Sequence, residues 1–202
     1  MLYKLPLLSL LAITFLAFCS KSHTPIAGIQ LAVPSAHTTA STPALLASAL
    51  PTYPAEKIHW LSIEEAAEKM KQEPRKLIID VYTDWCGWCK KMDKETFTDA
   101  GVAALVNKHF YAVKLDAEGK APIKLKGQTF SFKPEYKAHE LAVALLNSQM
   151  SFPTTVYMDE QMNMLTPVPG YLNAKNMMQV LRYFGENHHK SKSWQDFEKE
   201  AK

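Results

Sequence analysis

Trp85-Cys86-Gly87-Trp88-Cys89-Lys90 stands just after the apolar run Leu77-Ile78-Ile79-Asp80-Val81-Tyr82, and this junction constrains the chain more than any other stretch. A run that is apolar on both alternating faces fits a central strand covered on both sides. The residues after it start a helix, so two thiols three positions apart sit at a strand-to-helix junction. There they can close a small disulfide, and the first lies where helix amides favour its thiolate. That is the layout of a redox centre.

Bulk properties exclude several function classes. The chain has 202 residues, 47% of them hydrophobic and 21% charged, which suffices for one domain with its own core. With Lys4 set aside as part of a leader, 22 basic residues face 20 acidic ones, a near-neutral balance that argues against nucleic acid as a partner. Of the three cysteines, only Cys86 and Cys89 lie beyond the leader, so a multi-bridge disulfide scaffold is excluded.

Lys4 precedes an uncharged stretch from Leu5 to Phe18, too short to span a bilayer and suited to the hydrophobic part of an export signal. Leu16-Ala17-Phe18-Cys19 resembles a bacterial lipoprotein signal, in which Cys19 becomes the lipidated first residue of the mature chain. Phe18 departs from that pattern, because the residue before the cysteine is normally small, and a plain secretory leader is the alternative. Acyl chains on Cys19 would hold the protein at a membrane without a spanning helix.

The expected organisation is an export signal over 1–19, an Ala/Ser/Thr/Pro-rich tether over 20–55, a folded domain over 56–185 and a polar tail over 186–202 with a short helix from Ser193 to Ala201. Ser62-Ile63-Glu64-Glu65 is a capping-box pattern, followed by Ile63, Ala66, Ala67 and Met70 on one helical face. The helix at the cysteines runs to about Glu95, and a second starts at Asp99. Phe110 to Leu115 reads as the next strand, completing a β-α-β unit with a right-handed crossover. Residues 117–137 break the pattern and read as an inserted hairpin, Ile123–Lys126 and Thr129–Phe132 alternating about Gly127-Gln128. Helix resumes from near Ala138 to Asn147, Thr154–Met158 and Met164–Val168 form a strand pair, and Asn173 caps a last core helix.

In dithiol chemistry one thiolate attacks a substrate disulfide and the neighbouring thiol resolves the mixed disulfide. Cys86, at the helix start and expected to be the more exposed, is the candidate attacker; Cys89, one turn further in, is the candidate resolver. Gly87 permits close backbone approach, and Trp88 occupies the position that tunes thiolate stability and partner contact. Three alternatives to a redox role stay open. Half of a zinc site is disfavoured because structural zinc needs four ligands, no second cysteine pair exists, His188-His189 lies in the polar tail and His109 at a helix end. An inert structural disulfide and a binding module with incidental thiols are the remaining two.

Asp80 is an acid inside an apolar strand, so burial raises its pKa unless it is paired. Lys114, within the apolar Ala112-Val113-Lys114-Leu115, is the candidate partner, making Asp80 a candidate proton relay to Cys89 with Lys114 setting its acidity. Phe152-Pro153-Thr154 precedes a strand, where proline removes a ladder donor and a cis bond can occur.

Together these residues resemble the thioredoxin superfamily from Ile58 to Gly185. The segment Asp80 to Lys90 is similar to the family's active site, Val113-Lys114-Leu115-Asp116 to the strand with its buried lysine, Phe152-Pro153-Thr154 to its cis-proline loop, and Pro169-Gly170-Tyr171 to its glycine turn. In texture the chain resembles exported bacterial thioredoxin-like proteins and the C-terminal domain of the thiol:disulfide interchange reductases. The resemblance implies an α/β thioredoxin fold, a mixed central sheet of four or five strands flanked by helices, here with a small inserted hairpin. It implies a substrate groove formed by Trp85, the cysteines and Pro153, with Gly87, Trp88, Phe152 and Thr154 beside it. The implied activity is thiol-disulfide exchange with exported proteins, in the reducing direction, with electrons from a membrane partner and no cofactor or metal. Three features depart from the pattern: Trp88 replaces a proline, Lys94 stands where the helix has a kinking proline, and 117–137 is inserted.

Overall fold

The structure is a computed structural model that describes residues 56–200. The expectations for the export signal, Cys19 and the tether fall outside the described residues. Among those described, no helix is long and apolar enough to cross a membrane.

In chain order the elements are β1 (Trp60–Leu61), α1 (Ile63–Gln72), β2 (Lys76–Tyr82), α2 (Gly87–Glu95), α3 (Ala100–His109), β3 (Phe110–Asp116), β4 (Ile123–Leu125), β5 (Gln128–Phe130), β6 (Phe132–Lys133), β7 (Ala138–His139), α4 (Glu140–Leu145), β8 (Thr154–Met158), β9 (Met164–Pro169), α5 (Ala174–Gly185) and α6 (Trp194–Glu200), with one 3-10 turn over His188–Lys190. Side-chain caps fix several helix starts. The Ser62 hydroxyl accepts the Glu65 N–H at 3.1 Å while the Glu65 carboxylate accepts the Ser62 N–H at 2.8 Å, satisfying two otherwise orphaned donors. Asp99 and Asn173 cap α3 and α5 in the same manner.

The main sheet has the order β1-β3-β2-β8-β9. The first three strands are mutually parallel, and β8 and β9 run antiparallel to their neighbours. Strand β2 is therefore hydrogen-bonded along both edges, and its side chains alternate between two cores. Leu77, Ile79 and Val81 pack with α1 and α4, whereas Ile78 joins the core built by α3 and α5. Asp80 follows the alternation of Ile78 and is 1% exposed. Pro167 and Pro169 are tolerated because β9 is an edge strand.

The insert differs from its expected form in register. Its turn is Lys126-Gly127, with φ of 50° and 76°, one residue earlier than the Gly127-Gln128 read from alternation. A two-residue hairpin loop needs two consecutive left-handed residues, and this choice leaves Leu125 buried on the α1 side. Phe132 leaves the hairpin to pair with His139 in a second small ladder. That pairing delays α4 to Glu140, two residues after the expected start. His139 caps it by accepting the Leu141 N–H, and its other ring nitrogen donates to the Ala121 carbonyl, tying the insert down.

The segment after Gly185, read as a polar tail, packs back on the domain. Phe197 is buried among the rings of Tyr183, Trp194 and His188, and the Tyr183 hydroxyl donates to the Lys192 carbonyl at 2.9 Å. Two apolar residues in a polar stretch are enough when α5 offers an aromatic face. Phe197→Ala is therefore expected to cost about 3 kcal/mol, read as a shift in the urea midpoint; a change near zero would mean that the segment does not dock.

Candidate redox site

The end of β2 sets up the thiols. After Tyr82 the chain turns, with the Cys86 N–H donating to the Thr83 carbonyl at 3.1 Å, and Cys86 becomes the N-cap of α2. Cys86 and Cys89 are joined by a disulfide, their Cα atoms 5.3 Å apart. The Cys86 Sγ accepts the Cys89 N–H at 3.1 Å, an amide of the first helical turn that has no partner within the helix. When the bond is reduced, that amide and the aligned helix dipoles favour a thiolate on Cys86.

Both cysteines are buried, and Cys86 is the more exposed of the two by only a small margin, at 5% against 2%. The sulfur bond and the amide hold Cys86 against the helix, so the asymmetry between the cysteines lies in hydrogen bonding rather than exposure. The neighbouring indoles are the exposed groups, Trp85 at 66% and Trp88 at 58%. Trp85 donates its indole N–H to Glu118 at 3.1 Å and meets the Phe152 ring edge-on at 6.0 Å. Trp88 packs on Tyr171 at 5.4 Å, with the Lys91 ammonium over both rings and the Tyr171 hydroxyl donating to Glu95. The Phe152-Pro153 peptide is cis. The Pro153 carbonyl accepts the N–H of Gly170, whose φ of 96° suits glycine.

Other expected site residues take more modest positions. Pro153 is buried, so the exposed surface beside the disulfide comes from the aromatics. Thr154 is buried and its hydroxyl donates to the Ser151 carbonyl at 2.8 Å, which leaves only its backbone position to shape the site. At Gly87 a Cβ would meet nothing within 4 Å, so a close approach there can come only from a partner.

Strand register places Asp80 between Lys114 of β3 and Thr155 of β8. Lys114 Nζ donates to Asp80 Oδ2 at 2.7 Å, the pairing expected from sequence. It also donates to Asp93 of α2, a residue that sequence reasoning missed. The only signal was a second acid seven positions after Cys86, and nothing local tied it to Lys114. Burial pushes the Asp80 carboxyl above the usual aspartate range; Lys114 opposes the shift and Asp93 adds to it. Burial pulls the Lys114 ammonium down, but the two carboxylates more than offset this and hold it above the ordinary lysine value. Rings of Trp60, Tyr82 and Phe97 lie 4.9, 5.2 and 5.3 Å from that ammonium. Asp80 Oδ1, Thr83 Oγ1 and Thr155 Oγ1 are buried without hydrogen-bond partners among the described residues. Also among the described residues, no cluster of three or more His, Cys, Asp or Glu side chains has the arrangement of a metal site.

Comparison with known proteins follows the same outline. The Ralstonia nicotianae thiol:disulfide interchange protein DsbD is 29% identical over 122 residues, which cover 59% of this chain and 17% of that protein. Rat spermatogenesis-associated protein 20 is 30% identical over 67 residues, 33% of this chain and 8% of that one. The matched stretch thus spans less than a fifth of either relative. Among solved structures, the DsbH oxidoreductase is 20% identical with a TM-score of 0.49, covering 68% of this chain and 92% of its own. The family described as thioredoxin-like domain matches residues 63–185. That match runs from the first helix to the last helix of the main core, over more than half of the sequence, and the chain belongs to the thioredoxin-like domain family.

Proposed function

We propose that this protein is a thiol-disulfide oxidoreductase that reduces disulfides of exported proteins through Cys86 and Cys89. The observation that carries the reading is the Cys86–Cys89 bond at the start of α2, with a helix amide donating to the Cys86 sulfur. In the reduced protein the Cys86 thiolate attacks one sulfur of a substrate disulfide. A mixed disulfide forms and the other substrate sulfur leaves as a thiolate. Cys89 then gives up its proton and attacks Cys86 Sγ, which releases the second substrate thiol and restores the Cys86–Cys89 bond. Two electrons pass from the dithiol to the substrate, and no cofactor is required. Trp85, Trp88 and Phe152 form the surface on which an extended substrate segment would lie.

The uncharged stretch after Lys4 supports export, and Cys19 supports a lipid anchor at the cell envelope. A reductase in that setting needs electrons from a membrane thiol donor. Catalytic amounts of the protein should accelerate dithiothreitol-driven reduction of a protein disulfide. Cys86→Ser should abolish that activity, while Cys89→Ser should accumulate the mixed disulfide, visible by mass spectrometry. If the wild type gives no turnover, or Cys86→Ser matches it, the disulfide is a staple in an interaction module.

Asp80 is the proposed acceptor for the Cys89 proton, with Lys114 and Asp93 setting its acidity. Its raised pKa makes resolution quicken as pH rises past the ordinary aspartate range and Asp80 loses its proton. Asp80→Asn should slow resolution at neutral pH by about a hundredfold, the scale of general-base assistance, and erase that limb of the profile in stopped-flow measurements. An unchanged profile would remove the role. A group whose pKa is higher when folded stabilises at pH below its unfolded value, and this is lost as pH rises through the folded value. Oxidised Asp80→Asn should therefore be more stable than wild type at neutral pH, with the gain shrinking on acidification.

A further inference from the structure

A cavity remote in chemistry from the dithiol lies between β9, α5 and α6. Its volume is about 680 Å³, within the range of small-molecule sites, and no residue of the disulfide loop lines it. Leu165, Val168 and Val180 form aliphatic walls, and Tyr183, Phe184 and Trp194 form aromatic ones. The Tyr183 and Trp194 rings meet edge to face at 5.2 Å and 86°, making an aromatic corner. Part of this wall exists only because the C-terminal segment docks: Trp194 and Glu198 lie beyond the family match, which ends at 185.

The charge of the lining is one-sided. Glu198 is the only carboxylate on it, and neither lysine nor arginine lines it. Trp194 and Glu198 are one helical turn apart on α6 and share a face. The ion pairs of α6 are made by Asp196 and Glu200 instead, leaving Glu198 without a cation among the described residues. His189 also lines the cavity and bonds the Tyr183 carbonyl through Nδ1. Burial holds its imidazole below the ordinary histidine value, so it adds no positive charge at neutral pH. A carboxylate beside two aromatic rings, in a cavity whose remaining lining is apolar or uncharged polar, is complementary to a positive charge carried on a hydrocarbon body.

We propose that this cavity binds a small apolar organic cation, with its hydrocarbon part between β9 and α5 and its ammonium group between the Glu198 carboxylate and the Trp194 and Tyr183 rings. A fatty acid anion would meet Glu198 with no lysine or arginine among the described lining residues to neutralise it, and a neutral molecule of the same shape would leave that carboxylate unused.

Three probes of one skeleton separate these cases: phenylbutylamine, phenylbutanol and phenylbutyrate. Calorimetric titration into the full chain should show the amine binding about tenfold more tightly than the alcohol, the scale of one cation at an aromatic face, and the carboxylate most weakly. Amide and indole NMR signals of Leu165, Gln179 and Trp194 should shift with the amine. Glu198→Gln, a change at a partly exposed side chain, should retain the wild-type melting temperature and bring the amine down to the affinity of the alcohol. Equal affinities for the three probes, an amine preference that survives in Glu198→Gln, shifts confined to other residues, or no binding at millimolar concentration would each overturn the proposal. None of these outcomes depends on the redox reading.

Discussion

Central strand β2 cannot slip. It is hydrogen-bonded on both edges and packed on both faces, and it carries an acid that only one register accommodates. In the observed pairing Asp80 lies opposite Lys114 on one side and Thr155 on the other. A shift of one residue would turn Asp80 into the aliphatic core of α1 and α4, where no cation waits, and would turn Ile79 and Val81 onto the other face. An unpaired carboxylate there would cost several kcal/mol, more than any ladder bond gains. The ion pair thus contributes more to selecting the alignment than to net stability. With the register settled, the position of Tyr82 is settled too, and with it the Thr83 turn and the N-cap that holds Cys86.

Features that rest on short-range chemistry were legible in the sequence. The capping box at Ser62, the helix start at Asp99, the cap at Asn173, the apolar run of β2 and the strand pair Thr154–Met158 with Met164–Val168, which extends to Pro169 in the structure, all follow from local patterns. The Asp80–Lys114 pair was legible because two charges in adjacent apolar strands have few alternatives to each other. What escaped depends on long-range contacts or on very little sequence. Strand β1 is two residues long, below any detectable period. Asp93 looks like an ordinary surface acid until α2 is laid across the sheet. Lys76, at the start of β2, is buried through a 2.7 Å pair with Glu160, eighty-four positions away. Phe197 and Trp194 are the two apolar residues of a charged helix, and the burial of Phe197 is decided by the aromatic face of α5.

Large exposed side chains ordinarily cost entropy when a partner immobilises them. Trp85 and Trp88 are held before any partner arrives, one by a hydrogen bond and an edge contact, the other by a ring and a cation. Most of each indole remains open to solvent, so contact area is preserved while the ordering cost has already been met within the fold. Two rigid platforms with a buried disulfide between them favour a partner that can span them.

Trp88 and Lys94, the two departures from the ordinary active-site helix, have structural counterparts elsewhere in the chain. With lysine in place of a kinking proline, α2 continues unbroken from Gly87 to Glu95. The loop after β9 then follows its whole length: Tyr171 packs on Trp88 and donates to Glu95, and the Leu172 carbonyl accepts the Thr96 hydroxyl at 2.6 Å. A proline at position 88 would offer Tyr171 no indole, and a kinked helix would draw Glu95 and Thr96 away from the loop. The intervening residue of the dithiol, the helix shape and the loop that carries Gly170 therefore form one packing unit. The packing of Trp88 cannot be separated from the geometry of the Pro153 loop, because Gly170 bonds to Pro153 and Tyr171 packs on Trp88.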